Sequence, residues 1–144
     1  MLPGSERCPA DIFLPNWSGG KNTALDVTVV NPLRADFLER EAETPGFALD
    51  QAYKRKMSQV GASCECEGIV FIPLPVETFG GWSKGAVGVI KRIGSALAGR
   101  SGREEGEVIS HLFQKLSVLL QRGNAALLLN RAPENIPFHI DGIM

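Results

Sequence analysis

Two aspartates and one lysine are the residues whose types and spacing could do chemistry. Asp11 lies in Arg7-Cys8-Pro9-Ala10-Asp11-Ile12-Phe13-Leu14, and Asp26 lies in Ala24-Leu25-Asp26-Val27-Thr28-Val29-Val30. Both stand in short apolar runs that predict β-strands, where a carboxylate is costly unless it is paired or holds a metal. Hard divalent cations take oxygen ligands, and Mg²⁺ is often held by one or two carboxylates plus a substrate phosphate. Such an ion polarises the phosphate and activates water, and a nearby ammonium stabilises the charge that develops. Lys56 supplies the ammonium. Leu49, Ala52, Tyr53, Lys56 and Val60 share one face at helical spacing, which turns Lys56 inward while Lys54 and Arg55 point elsewhere. Thr28 shares the face of Asp26 and can hydrogen-bond it. Glu77, at the end of an apolar strand, could reach the same pocket or serve a loop, and Gln51 is a further accessory candidate on the Lys56 helix.

The elements that must position these groups follow from periodicity and breakers. A short strand over 10–14 ends at Pro15, and a turn-rich stretch over 16–22 leads to a stronger, β-branched strand over 23–30. These predict a hairpin with a long loop. Side-chain alternation sends Leu25, Val27 and Val29 to the core and Asp26 with Thr28 to the opposite face. A short charged helix within 33–43 is broken by Thr44-Pro45-Gly46. An amphipathic helix over 47–60 and a polar connection over 61–67 come next. The run Gly68-Ile69-Val70-Phe71-Ile72-Pro73-Leu74 predicts a buried strand parallel to that of Asp26, since a helix separates them. Pro73 and Pro75 mark its end or an edge position. Helices are expected over 83–98, on Ala86, Ile90, Ile93 and Leu97, and over 104–121, on Ile109, Leu112, Phe113, Leu116 and Leu120. Arg122-Gly123-Asn124 interrupts the second, a short helix resumes over 125–130, and an irregular tail runs from Arg131. The order strand, strand, helix, strand, helix, helix belongs to the α/β class.

Pro9-Ala10-Asp11, then Asp26-Val27-Thr28-Val29, then Lys56 in Gln51-Ala52-Tyr53-Lys54-Arg55-Lys56 resembles the PD-(D/E)XK nuclease superfamily. The closest likeness is to the restriction-like endonuclease domains of site-specific non-LTR retrotransposons. Pro9-Ala10-Asp11-Ile12-Phe13-Leu14-Pro15, the 25–32 segment and the 119–128 segment are similar to parts of retroelement-derived open reading frames, and the likeness covers most of the chain. The resemblance implies a single restriction-endonuclease-like domain: a catalytic core over 1–82, a helical pair over 83–130 and a tail over 131–144. It implies a Mg²⁺- or Mn²⁺-dependent DNA endonuclease in which Asp11 and Asp26 hold the ion and Lys56 stabilises the reacting phosphate or positions water. DNA is then the partner, a polymerase domain would precede this part in the parent polyprotein, and the place of action would be intracellular, in the nucleus. The chain departs from the pattern in three ways. Ala10 intervenes between Pro9 and Asp11, Thr28 stands where many members carry the motif lysine, and the first helix and strand of the superfamily core are expected to be missing. The alternative is therefore a catalytically inactive nuclease-fold remnant acting as a structural or interaction module.

Composition bounds these expectations. A chain of 144 residues with 44% hydrophobic content suffices for one domain with its own core. No apolar run reaches membrane-spanning length, and residues 1–6 lack the basic, apolar, small-residue order of a signal peptide. The net charge of −1 argues against tight non-specific DNA binding by this segment alone. Three cysteines, Cys8, Cys64 and Cys66, predict reduced thiols rather than a disulfide framework; a zinc-stabilised DNA-binding module built on them is a third possibility. His111 and His139 are isolated, so no nucleophilic triad can be built. Gly19-Gly20-Lys21 lacks phosphate-loop spacing. Trp17 and Trp82 are expected as loop anchors, with base stacking as the other role.

Overall fold

The β-branched segment expected over 23–30 forms the centre of a three-stranded sheet. The computed structural model describes residues 8–131. Strands β1 (Ile12–Ser18) and β2 (Lys21–Val30) pair antiparallel, and β2 pairs parallel with β3 (Val70–Glu77), in the order β1-β2-β3. Between β2 and β3 lie helices α1 (Leu38–Glu43) and α2 (Phe47–Lys56), a π-helical turn (Met57–Gly61) and α3 (Ala62–Cys66); α4 (Lys84–Ser101) and α5 (Glu105–Arg131) follow. The chain is thus a mixed α/β fold, with the strand order and the parallel β2–β3 pairing expected from the pattern.

The hairpin is tighter than the turn-rich stretch suggested. Gly19 and Gly20 take φ of 57° and 77°, so two residues suffice to connect the strands, and Ser18 pairs with Lys21. The register shifts between Leu14 and Ser18, and Asn16 in that irregular stretch has a φ of 52°. Strand β3 runs through both prolines. It is an edge strand, and the ring nitrogens of Pro73 and Pro75 fall where an N–H would face away from β2; on that open side the Pro75 carbonyl accepts from Ser83 N–H.

Helices cover both faces of the sheet. On one side, Leu25 and Leu74 pack against Ala86 and Val89 of α4, with Ile93 beside them. On the other, Val30 meets Ala48, Leu49 and Ala52 of α2, and Ala24 and Phe71 meet Cys64 of α3. The face carrying Asp26 and Thr28 is therefore covered by α2. Val27 and Val29, expected in the core, are 39% and 50% exposed. β1 reaches β2 only as far as Leu25, and α4 packs on that same first half, so both valines lie beyond the cover.

Three further expectations are corrected. Most of the segment 61–67, expected as a polar connection, is helical, with Gly61 closing the π-helical turn and Ala62–Cys66 forming α3. Cys8 and Cys64 are joined in a disulfide, because both sulfurs are brought to one buried cluster with Ala24 and Phe71; only Cys66, exposed, is a free thiol among the described residues. With two of the three thiols in that bond, the three-thiolate zinc module falls. Finally, α5 is continuous to Arg131. A single Gly123 costs a helix about 1 kcal/mol, too little to break it, and Asn124 uses its side-chain amide outward, donating to the Thr78 carbonyl at 2.8 Å. The tail after Arg131, with His139, lies outside the described residues.

Candidate metal and phosphate site

Asp26 is placed by β2 and Lys56 by the last turn of α2. Their side chains meet across the sheet–helix interface, Lys56 Nζ lying 2.9 Å from Asp26 Oδ2, with side-chain exposures of 27% and 13%. Thr28 Oγ1 donates to the same oxygen at 3.2 Å. Ala48 and Ala52, two turns and one turn before Lys56 on the same helical face, are buried against the sheet. Their small side chains let the helix sit close enough for the lysine to reach Asp26.

Asp11 stands just before β1, at the point where the strand joins β2. Its N–H donates to the Leu25 carbonyl at 3.0 Å. Its carboxylate Oδ2 accepts the Val27 N–H at 2.8 Å, and so takes the place of a ladder partner that β1 does not supply there. Both aspartates are therefore anchored on adjacent positions of β2, Asp11 through Val27 and Asp26 by its own backbone. The second oxygen of each makes no hydrogen bond among the described residues.

Two carboxylates, each with one oxygen to spare, meet the lower end of what Mg²⁺ or Mn²⁺ takes from protein, since such ions keep several waters and accept substrate phosphate. The two carboxylates have the donor chemistry such an ion takes, and Asp26 Oδ2 already holds the Lys56 ammonium at 2.9 Å. No cluster of three or more His, Cys, Asp or Glu side chains suited to a metal occurs among the described residues, so the third acid of a fuller site is not supplied there.

The accessory candidates separate. Thr28 joins the Asp26–Lys56 pair. Gln51 lines a small depression with Val30, Phe37 and Arg55, on another flank of α2. Glu77 pairs with Val30 in the β2–β3 register, four positions beyond the Asp26–Pro73 pair, about 13 Å along the sheet. It faces a cleft bordered by Leu49, Asp50, Tyr53 and Trp82 instead. Burial, and secondarily the negative charge of Glu41, hold its carboxyl above the usual carboxylate range. Tyr53, expected in the core, is exposed at the rim of that cleft. Trp17 is clamped by Arg92, whose guanidinium lies 4.9 Å from the ring centroid and donates to the Trp17 carbonyl at 3.3 Å.

Sequence reasoning missed three supports. Glu41 accepts from Gly46 N–H at 2.6 Å and Ala48 N–H at 2.7 Å, closing the start of α2 from seven residues upstream; no local capping motif announces it. The π-helical turn directly after Lys56 adds about one residue to the helix and rotates α3 by roughly 100° relative to α2. That rotation brings Cys64 to the sheet side, where Cys8 waits. The disulfide then fastens the chain three residues before Asp11 to the helix eight residues after Lys56. No family model matches the chain, and neither a curated protein nor a solved structure is detectably similar to it.

Proposed function

We propose that the chain is a metal-dependent DNA endonuclease domain with a restriction-endonuclease-like core, derived from a retroelement and hydrolysing phosphodiester bonds. The observation that carries this is the meeting of Asp26 and Lys56 at 2.9 Å beneath α2, with Asp11 fixed on the neighbouring strand. A Mg²⁺ or Mn²⁺ ion bound there would polarise the phosphate and lower the pKa of water. Asp11 and Asp26 would hold the ion through their spare oxygens. Lys56 would turn its ammonium to a non-bridging phosphate oxygen or orient the attacking water. Thr28 keeps Asp26 oriented through its hydroxyl. In the same reading a polymerase domain precedes this part in the parent polyprotein, and the site of action is nuclear DNA. Purified protein is expected to nick supercoiled plasmid only with Mg²⁺ or Mn²⁺ present, and Asp26→Ala to lower the rate by at least 100-fold. Equal nicking by that variant would remove the assignment.

One observation favours a catalytically inactive remnant that serves as a structural or interaction module. Each aspartate already has a structural partner: Val27 N–H for Asp11, and Lys56 with Thr28 for Asp26. Titration calorimetry with Mn²⁺ separates the two. Micromolar binding that Asp11→Asn removes supports the enzyme, and no heat of binding supports the remnant.

A further inference from the structure

One half-buried carboxylate at the end of the sheet has no partner. Glu77 closes β3 opposite Val30, on the face that α2 covers. Its side chain accepts no hydrogen bond and forms no ion pair among the described residues. Gly81 makes room for it: a Cβ there would lie 2.7 Å from Glu77 Oε2. The Glu77 N–H donates to the Gly81 carbonyl at 2.8 Å, which fixes the strand end that carries the side chain. Burial and the negative charge of Glu41 raise the carboxyl above its usual range. A donor supplied from outside relieves a cost that the fold leaves standing.

The cleft in front of Glu77 measures about 760 Å³, within the range of sites that enclose a small organic ligand. It lies along the open edge of β3, between α2 and the start of α4. Leu49, Ile72 and Pro73 give it apolar walls, and Tyr53 and Trp82 add aromatic ones. Trp82 packs against the cluster of Leu25 and Leu74 and is held there, whereas Tyr53 is exposed. The other charged groups on the lining are Asp50, paired with Lys54 at 2.7 Å, and exposed Lys84. Ser83 N–H donates to the Pro75 carbonyl, so Ser83 sits two strand positions back from Glu77, about 7 Å. Lys84 and Gly85 follow as the first residues of α4. Ser83 Oγ takes the Ala86 N–H, which leaves the N–H groups of Lys84 and Gly85 without an acceptor among the described residues. A Cβ at Gly85 would meet nothing within 4 Å, so the backbone there is open to close approach.

We propose that this cleft binds a guanine nucleotide, with the base edge on Glu77 and the phosphate toward Lys84 and Gly85. An ionised carboxylate only accepts hydrogen bonds. Guanine presents two adjacent donors, N1–H and N2–H, which match the two oxygens of one carboxylate. Adenine and cytosine set one donor beside an acceptor, and uracil places N3–H between two carbonyls. Tyr53 and Trp82 offer faces on which a base stacks. A bare organic cation would also suit Glu77 and the aromatic walls, but Lys84 and the positive end of α4 oppose it. Those same two features suit a phosphate. A ligand with an N–H edge, a π face and an anionic end uses all of them. The site stands apart from cleavage, since it invokes no metal and neither Asp26 nor Lys56.

The test is titration calorimetry of the full chain with GMP, AMP, CMP and UMP in EDTA. GMP should bind about 10-fold more tightly than the other three. Glu77→Gln sets one acceptor beside one donor, the pattern of the adenine edge. It should lose about 10-fold for GMP and gain for AMP, a reversal that misfolding cannot produce. Tyr53→Ala, at an exposed position, should weaken GMP about 10-fold, and Tyr53→Phe should keep it. A short single-stranded oligonucleotide carrying one guanine separates the sources: tighter binding than GMP assigns the cleft to a nucleotide of a strand, and equal binding assigns it to the free nucleotide. Because no metal is present, absent nicking leaves these results untouched. Equal affinity for all four nucleotides, no binding of GMP or the oligonucleotide, an unchanged base preference in Glu77→Gln, or tighter binding of agmatine than of GMP overturns the proposal.

Discussion

Asp26 and Lys56 differ in depth, and the difference decides which loss is worse. Asp26 has the less exposed side chain, at 13% against 27% for Lys56, and it sits on a rigid strand. Removing the lysine strands a largely buried carboxylate with only the Thr28 hydroxyl as partner. Removing the carboxylate lets a flexible four-carbon stem carry its ammonium to water. Lys56→Ala is therefore expected to cost about 1–3 kcal/mol, and Asp26→Asn clearly less, in urea unfolding monitored by circular dichroism. The reverse order would mean that the pair is solvated more evenly than its burial indicates. Asp11 offers a contrast at the same scale: its role is fixed by a single backbone N–H, that of Val27. Nothing in the run Pro9-Ala10-Asp11 signals that role, because it depends on where β1 stops pairing with β2.

Among the elements, α4 and α5 meet where a side chain is missing. A Cβ on Gly94 would lie 2.6 Å from Ile109 Cγ1 and 3.3 Å from Ile109 Cα. The second contact is with backbone, so rotamer change alone cannot relieve it. Gly94→Ala gains helix propensity of about 1 kcal/mol but forces the helices apart, and overpacking of this kind costs about 1–3 kcal/mol. Net destabilisation is expected as a lower thermal midpoint, with Gly88→Ala, whose Cβ meets open space, raising it. The stripe of α5 was legible from spacing, as were Ala86, Ile90 and Ile93 of α4 and the pairing of β3 with β2, whereas Leu97, expected on the α4 stripe, is 45% exposed and buried Val89 and Ala98 were not expected. The continuity of α5 through Gly123 was not legible, since a local breaker weighs against helix, whereas α5 runs unbroken from Glu105 to Arg131 with the Asn124 amide turned to the Thr78 carbonyl.

On the scale of the molecule, the Cys8–Cys64 bond closes a loop of 56 residues that contains both aspartates and the lysine. Chain-entropy reasoning gives such a closure about 4 kcal/mol, and measured values commonly run 2–4. Cys8→Ser is expected to lower unfolding stability by that range, and a thiol reductant should bring the parent protein to the same midpoint. A midpoint indifferent to both would show that the buried cluster of Ala24 and Phe71 holds the chain without the bond. The molecule is also lopsided in cover. Val118 and Leu119 in the middle of α5, and Leu127, Leu128 and Leu129 in its last turns, are exposed.

The sequence by itself determined the local elements and the candidate trio. Periodicity of two and of 3.6 placed Asp26 on a strand and Lys56 on the inward face of a helix. Tertiary structure decided what depends on distant partners: which face of β2 is covered, how Glu41 closes α2, how a π-helical turn rotates Cys64 to Cys8, and how far Glu77 lies from Asp26. Those outcomes follow from packing and register between segments dozens of residues apart, and local propensity carries no record of them.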